Sequence, residues 1–281
     1  MDSKRIIHST NVSRGHYICL MEIQKIEDDL FVLIGDAYDS NSTLLVHGSD
    51  ALLIEGMATR RDALELQGFV EKEMHKSVRF LVCTHYFSDH LAALKLFPAG
   101  EIIAQENYIH TFQSELYRTE EEQGNFAEPT ILFSERLSLR WGRFHLQMFH
   151  NSGHTMSTIN IDIPEADLIH VGDNLVGNMV YLKYSAPALL FRALENIQRK
   201  GRKRLLSSHS GIRDASAVDL AQHYLAELEK RAQTSWAENA GDSIPKIALD
   251  DCYPGGTQGT PFENIFHKRN LQSIVERRLF Q

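Results

Sequence analysis

Six side chains in four short stretches are of the types that bind a divalent cation or move a proton. THYFSDH (84–90) supplies His85, Asp89 and His90, NSGHT (151–155) supplies His154, LIHVGD (168–173) ends in Asp173, and RLLSSHSG (204–211) contains His209. Imidazole nitrogen together with carboxylate oxygen suits zinc, iron or manganese, and no cysteine stands among them to narrow the choice. Taken singly, each stretch has a bland reading. A lone histidine after a strand is usually a hydrogen-bonded structural residue, and Gly-Asp is usually a turn. Their position is what raises them: each stretch follows or closes a strand-like segment, the place where α/β proteins tend to build their sites. Gly153 allows a close chain approach beside His154.

The elements that must position these residues can be read from the spacing of apolar positions. YICLMEI (17–23), DLFVLIGD (29–36), STLLVHG (42–48) and DALLIEG (50–56), with turn residues between them, predict an antiparallel meander. Ala63, Leu66, Phe69, Val70 and Met74 recur three or four apart and predict a helix over 58–74. VRFLVCT (78–84) is a buried strand by length and composition, LAALKLF (91–97) a helix stopped by Pro98, EIIA (101–104) a strand and 106–118 a helix. The second half repeats this order, with strands near 136–140, 143–149, 157–163 and 167–171, a helix at 187–200, a strand at 203–208 and a helix at 214–235. Pro187 suits a first helical turn, Gly201 follows the end, and Asp214 is a candidate N-cap. The stretches 119–129 and 252–261 read as surface loops. Two β-rich halves with helices outside make an α/β protein of two stacked sheets.

With those residues in view, the order H-x-x-x-D-H, G-H-T, G-D and a strand ending in His resembles the metallo-β-lactamase-fold superfamily over roughly residues 17–235. The resemblance implies a single domain spanning 1–281, a four-layer αββα sandwich with the metal site at the sheet edge, and a C-terminal loop and helix at 236–281. It also implies that Asp89, His90 and His209 form the second metal site, that Asp173 bridges both metals, and that His85 and His154 belong to the first. Glu55 stands where the family usually has an aspartate that orients the motif loop, and with Phe87 and Thr155 it stands behind the ligands. The family motif H-x-H-x-D-H carries Phe87 at its middle histidine, so the first site loses a nitrogen ligand. The expectation is a tight second site and a first site that is weak, empty or completed by another group such as His150. Ser208 replaces a usual glycine.

The implied chemistry is metal-assisted hydrolysis, in which one or two divalent ions, zinc first with iron or manganese as alternatives, bring the pKa of a bound water towards ~7. Asp89 would orient the attacking group or take its proton. Substrates could be esters, thioesters, lactones or related small molecules. A branch of the family lacking a first-site histidine works with one second-site zinc. The alternatives are an iron-containing redox or oxygen-binding protein of the same fold, whose relatives carry a glutamate at the position of Phe87, and a non-catalytic pseudoenzyme.

Composition bounds the rest. The 281 residues are 43% hydrophobic and 23% charged, which excludes disorder, and a chain of this length buries roughly three quarters of its unfolded surface. The three cysteines, Cys19, Cys83 and Cys252, are scattered without C-x-x-C spacing, which argues against a disulfide framework and for a cytoplasmic setting. No signal-like or membrane-length apolar run is present. A formal charge of −8 works against nucleic-acid binding. RKGRKR (199–204) reads as a solvated helix end. Glu120, Glu121 and Glu122 read as a solvated loop, whose place between the two halves leaves open a role near a substrate entrance that Tyr108, His110 and Tyr117 could line, although packing or facing water is the commoner fate of such residues. Phe262, Ile265, Phe266, Leu271, Ile274, Val275 and Leu279 mark an amphipathic C-terminal helix that either closes over the body or makes a homodimer contact.

Overall fold

The computed structural model of the protein describes residues 21–115, 118–255 and 257–281. Cys19, Tyr117 and the start of the first expected strand lie outside them. Seven strands form one sheet in chain order: β1 (Glu22–Glu27), β2 (Leu30–Ile34), β3 (Asn41–His47), β4 (Asp50–Ile54), β5 (Ser77–Val82), β6 (Glu101–Gln105) and β7 (Ile131–Phe133). The first four are antiparallel, as the meander predicts, and the rest run parallel. A second sheet has six strands in the order β13-β12-β11-β10-β9-β8. These are β8 (Arg136–Trp141), β9 (Phe144–His150), β10 (Ile159–Ile163), β11 (Leu168–Gly172), β12 (Arg204–Ser207) and β13 (Ile212–Asp214). Only the β11–β12 pair is parallel.

Period-two alternation sorts the strand residues into layers. Leu33 and Leu53 face the outer core, beside Ala63, Leu66 and Val70 of the helical segment, while Leu52, Ile54 and Val82 face Leu146, Ile161 and Leu206 between the sheets. Strands covered on both faces must be apolar throughout, which is why β2 and β4 read as continuous runs. Truncating a fully buried residue such as Leu52 to alanine should cost about 2–5 kcal/mol. The third core lies between the second sheet and its helices, joining Val171, Leu194, Leu225, Leu271 and Ile274. Helices therefore cover both sheets in a single αββα body.

The helices are α1 (Arg60–Gln67), α2 (Tyr108–Ser114), α3 (Glu120–Gly124), α4 (Pro187–Gln198), α5 (Ser216–Ala237) and α6 (Pro261–Arg277). Thr59 caps α1 by accepting from the Asp62 N–H, and Pro187 occupies the first turn of α4. Asp214 ends β13 rather than occupying the N-cap, but its carboxylate accepts from the Ser216 N–H at 2.9 Å. The expected helix at 58–74 changes to π geometry at Gly68–Glu73.

Three expectations need correction. Residues 91–97 hold only a 3-10 turn at Leu94–Leu96, because the Ala92 and Ala93 N–H groups bond Met57 and Gly56 carbonyls instead of propagating a helix. The loop 119–129 contains α3, started by a capping box between Thr119 and Glu122. The basic run is largely ion-paired to the body: Arg202 contacts Asp162 at 2.6 Å, Lys200 contacts Asp162 at 3.5 Å, and Arg204 contacts Glu27 at 2.7 Å. Tyr108 is buried and bonds Glu128, in keeping with the packed reading of this helix residue. Cys83 and Cys252 are free thiols. No helix among the described residues is long and apolar enough to cross a membrane.

Candidate metal centre

The site forms where the ends of the two sheets are tied together. Asn41 at the start of β3 donates from its backbone to Ser208 and from its side chain to the Ser207 carbonyl, at 2.7 and 2.8 Å, and so holds the loop after β12 against the first sheet. Ile159 of β10 donates to the Thr84 carbonyl at 2.8 Å, linking the turn after β5 to the second sheet. His85, Asp89 and His90 follow β5, His154 precedes β10, Asp173 follows β11 and His209 follows β12. Two glycines permit the approach. Gly172 has φ +56° and turns the chain at Asp173, whereas a Cβ on Gly153 would lie 2.2 Å from Asn174 Oδ1.

These folds bring all six expected ligands together around one oxygen. Asp173 Oδ2 lies 3.3 Å from His209 Nε2, 3.7 Å from His90 Nε2, and 3.9 Å from both His85 Nε2 and His154 Nε2. Asp89 completes one side, with Oδ1 3.3 Å from His90 Nε2 and Oδ2 4.0 Å from His209 Nε2. Most of these separations exceed the 2.7–3.2 Å of a hydrogen bond, whereas two ligands bonded tetrahedrally to one zinc-like ion at about 2.1 Å lie about 3.4 Å apart. His85 Nε2, His90 Nε2 and Asp173 Oδ1 are buried with no hydrogen-bond partner. Buried polar atoms normally find partners, so this donor set fits a shared cation. Among the described residues, the groups able to hold an ion are His85, His154 and Asp173; Asp89, His90 and His209; and Glu55, His85 and His90.

Groups behind the ligands decide which nitrogen faces inward. Glu55, itself at φ +71°, sets Oε2 2.8 Å from His90 Nδ1 and accepts the Thr84 N–H on Oε1 at 2.6 Å. His209 Nδ1 lies 2.8 Å from the Tyr38 carbonyl, and His85 Nδ1 lies 3.2 Å from the Thr84 hydroxyl. Thr155 braces the following turn through Thr158 Oγ1 at 2.8 Å. Phe87 is buried, edge-on to His85, His154 and Tyr184 with ring centres at 5.3, 5.4 and 4.6 Å. His150 does not join the centre: its Nε2 lies 2.8 Å from the Met156 carbonyl.

Charge divides the cluster. Burial lowers the pKa of His85, and that of His154 to about 4. The same burial acts on His90 and His209, but the carboxylates of Asp89, Glu55 and Asp173 outweigh it at His90, and Asp173 chiefly does so at His209; both end above the ordinary histidine value. Burial opposes ionisation of Asp173, yet His209 and His90 hold its carboxyl well below the usual carboxylate range.

A cavity of about 520 Å³ opens over the centre. Its lining includes residues not anticipated from the sequence: Glu115, Tyr181, Lys183, Tyr184, and Phe266 and Arg269 of α6. Glu115 pins the metal-ligand turn by accepting from the Ser88 N–H and hydroxyl at 2.9 and 2.8 Å. Glu122 also reaches the cavity, so the acidic segment does border the entrance. α6 closes over its own chain, with Phe262 beside His209 and Phe266 beside Tyr181.

An αββα body with a histidine and carboxylate cluster at the joined sheet edges is the form of a metallohydrolase-like protein. The profile of the metallo-beta-lactamase superfamily matches residues 35–209, and the chain belongs to that family. Among solved structures, a metallo-beta-lactamase from Pontibacter korlensis superposes with a TM-score of 0.60 at 16% identity, covering 71% of this chain and 95% of the other. The DIM-1 metallo-beta-lactamase gives 0.58 at 16% identity, covering 71% and 94%, and its form exposed to ceftazidime gives 0.58 at 15% identity, covering 71% and 93%. At these identities the likeness is one of fold. A comparison with curated proteins found no match.

Proposed function

We propose that this chain is a cytoplasmic metal-dependent hydrolase of small esters, thioesters, lactones or related substrates, holding one ion tightly among Asp89, His90, His209 and Asp173. The supporting observation is the convergence of buried, unpartnered ligand atoms at spacings too long for most hydrogen bonds and suited to a shared cation. When bound, a divalent ion supplies Lewis acidity and a water of lowered pKa at neutral pH. Asp89 and Asp173 both line the cavity, but the Asp173 side chain is nearly buried whereas that of Asp89 is 31% exposed. Asp89 is thus the carboxylate that a substrate and its attacking water can reach, and it accepts the proton. Phe87 occupies the wall of the first corner and leaves His85 and His154 to hold any second ion weakly. A cavity of about 520 Å³ suits a small molecule.

Elemental analysis of the purified chain, followed by hydrolysis assays of the zinc-loaded protein against chromogenic esters and thioesters, tests this reading. Zinc with turnover that chelation abolishes supports it. Iron with an oxygen-sensitive absorption band would move the assignment to a redox protein, and failure to take up zinc, iron or manganese would leave a pseudoenzyme.

A further inference from the structure

One side of α6 carries Glu263, Asn270 and Arg277 at intervals of seven residues, close to two full turns, so the three stack along a single face. All three end on the main chain of loop 176–185. Glu263 Oε1 accepts from the Asn178 N–H at 2.6 Å. Fully buried Asn270 pairs both ways, accepting the Leu182 N–H at 2.8 Å and donating to the Val180 carbonyl at 2.7 Å, as a neighbouring strand would. Arg277 donates to the carbonyls of Leu182, Lys183 and Ser185 at 2.6, 3.0 and 3.0 Å. Among the described residues, the loop's own backbone bonds are a Val176–Met179 pair and a 3.4 Å bond from Ser185 to Leu182. Its shape is set largely from α6.

What the loop carries gives this clamp a role. Tyr181 stacks on His154 with ring centres at 6.0 Å and meets Phe266 edge-on at 5.1 Å, and Tyr184 meets Phe87 at 4.6 Å. Loop and helix together therefore raise an aromatic wall on one side of the metal centre, built partly from residues beyond the 35–209 match.

We propose that α6 is the specificity wall of this site and that Asn270 is its positioning residue, fixing Tyr181 and Tyr184 so that the pocket selects substrates with a flat aromatic group beside the scissile bond. The proposal rests on the hydrolase reading for its substrate arm, but the clamp itself can be tested without it. Hydrogen exchange on the full chain compares wild type with Asn270→Ala and Arg277→Ala. Loss of a buried backbone partner should speed exchange at 180–184 by about tenfold, with β5 and β11 unchanged. On zinc-loaded protein, calorimetry with benzyl mercaptan and ethanethiol reads the wall. Asn270→Ala should lower the benzyl-over-ethyl preference about tenfold while zinc affinity stays within about twofold.

Unchanged exchange in both variants, or a retained aromatic preference despite a loosened loop, overturns the proposal. Exchange that rises equally throughout the body marks a purely structural residue and overturns it too. Should Asn270→Ala fail to fold, Arg277→Ala, which removes the bonds to the Leu182, Lys183 and Ser185 carbonyls and keeps the Asn270 pair, decides the exchange arm. A wild-type chain that takes up none of zinc, iron or manganese sinks the hydrolase reading, while exchange still supports or refutes the clamp.

Discussion

His90 and His209 each have an oxygen 2.8 Å behind Nδ1, the Glu55 carboxylate as an ion-pair contact outside hydrogen-bond geometry and the Tyr38 carbonyl as a hydrogen bond. Across Asp173 the support is thinner. His85 leans on the Thr84 hydroxyl at 3.2 Å, His154 Nδ1 is buried without a partner, and Phe87 packs against both rings. A supported imidazole presents a fixed nitrogen to a cation, while an unsupported one must still be ordered as the ion binds. The corners also differ in charge: Asp89, Glu55 and Asp173 surround His90, whereas burial dominates at His85 and His154. On the proposed metal-binding reading, the two clusters on either side of Asp173 should therefore differ in affinity, as much from what stands behind the imidazoles as from the imidazoles themselves.

The largest effect should come from Asp173→Ala, which removes the oxygen that all four imidazoles face. Metal should be lost on desalting, as read by elemental analysis, and added zinc, expected to raise the melting temperature of wild type, should leave that of the variant unchanged. Retained metal would mean that the corners do not share Asp173. Next is Glu55→Ala. Loss of a group that orients a ligand typically costs 10–100-fold in metal affinity, so competition with a chelator should show about that loss; a tenfold smaller change would show that His90 is aligned by the turn alone. Phe87→His sharpens the contrast from the other side. Restoring a nitrogen donor beside His85 and His154 should raise bound zinc from about one per chain towards two, and an unchanged count would place the weakness of this corner elsewhere.

The ligand stretches were legible because each follows or closes a strand, and an apolar strand leaves a mark in sequence that its neighbours' contacts do not. The two sheets were legible for the same reason. What escaped had no such mark. The Tyr38 carbonyl is backbone, and Asn41 and Glu115 act on residues far along the chain, Asn41 on Ser207 and Glu115 on Ser88. β7 and β13 are three residues each, too short to show a period. The apolar run 91–97 suggested a helix, but tertiary bonds to Gly56 and Met57 took its amides. The amphipathic pattern of α6 was visible, whereas its service to loop 176–185 depends on Glu263, Asn270 and Arg277, polar residues that its apolar stripe leaves out.

The smallest effect should come from His154→Ala, and that is why it discriminates. If the second corner carries the ion, removing this imidazole should change zinc affinity by less than about threefold, against the larger loss expected for Glu55→Ala, which is not itself one of the proposed ligands. His154 has a pKa lowered to about 4 by burial, so at neutral pH it is uncharged and its removal takes no compensating charge from the Asp173 carboxylate. Its backbone N–H bond to Asn174 Oδ1, at 2.8 Å, survives the substitution and keeps the turn in place. The variant therefore subtracts one ligand from the weaker corner with little else disturbed. A loss of affinity as large as that of Glu55→Ala would show that the ion sits between the corners and that Phe87 has not closed the first.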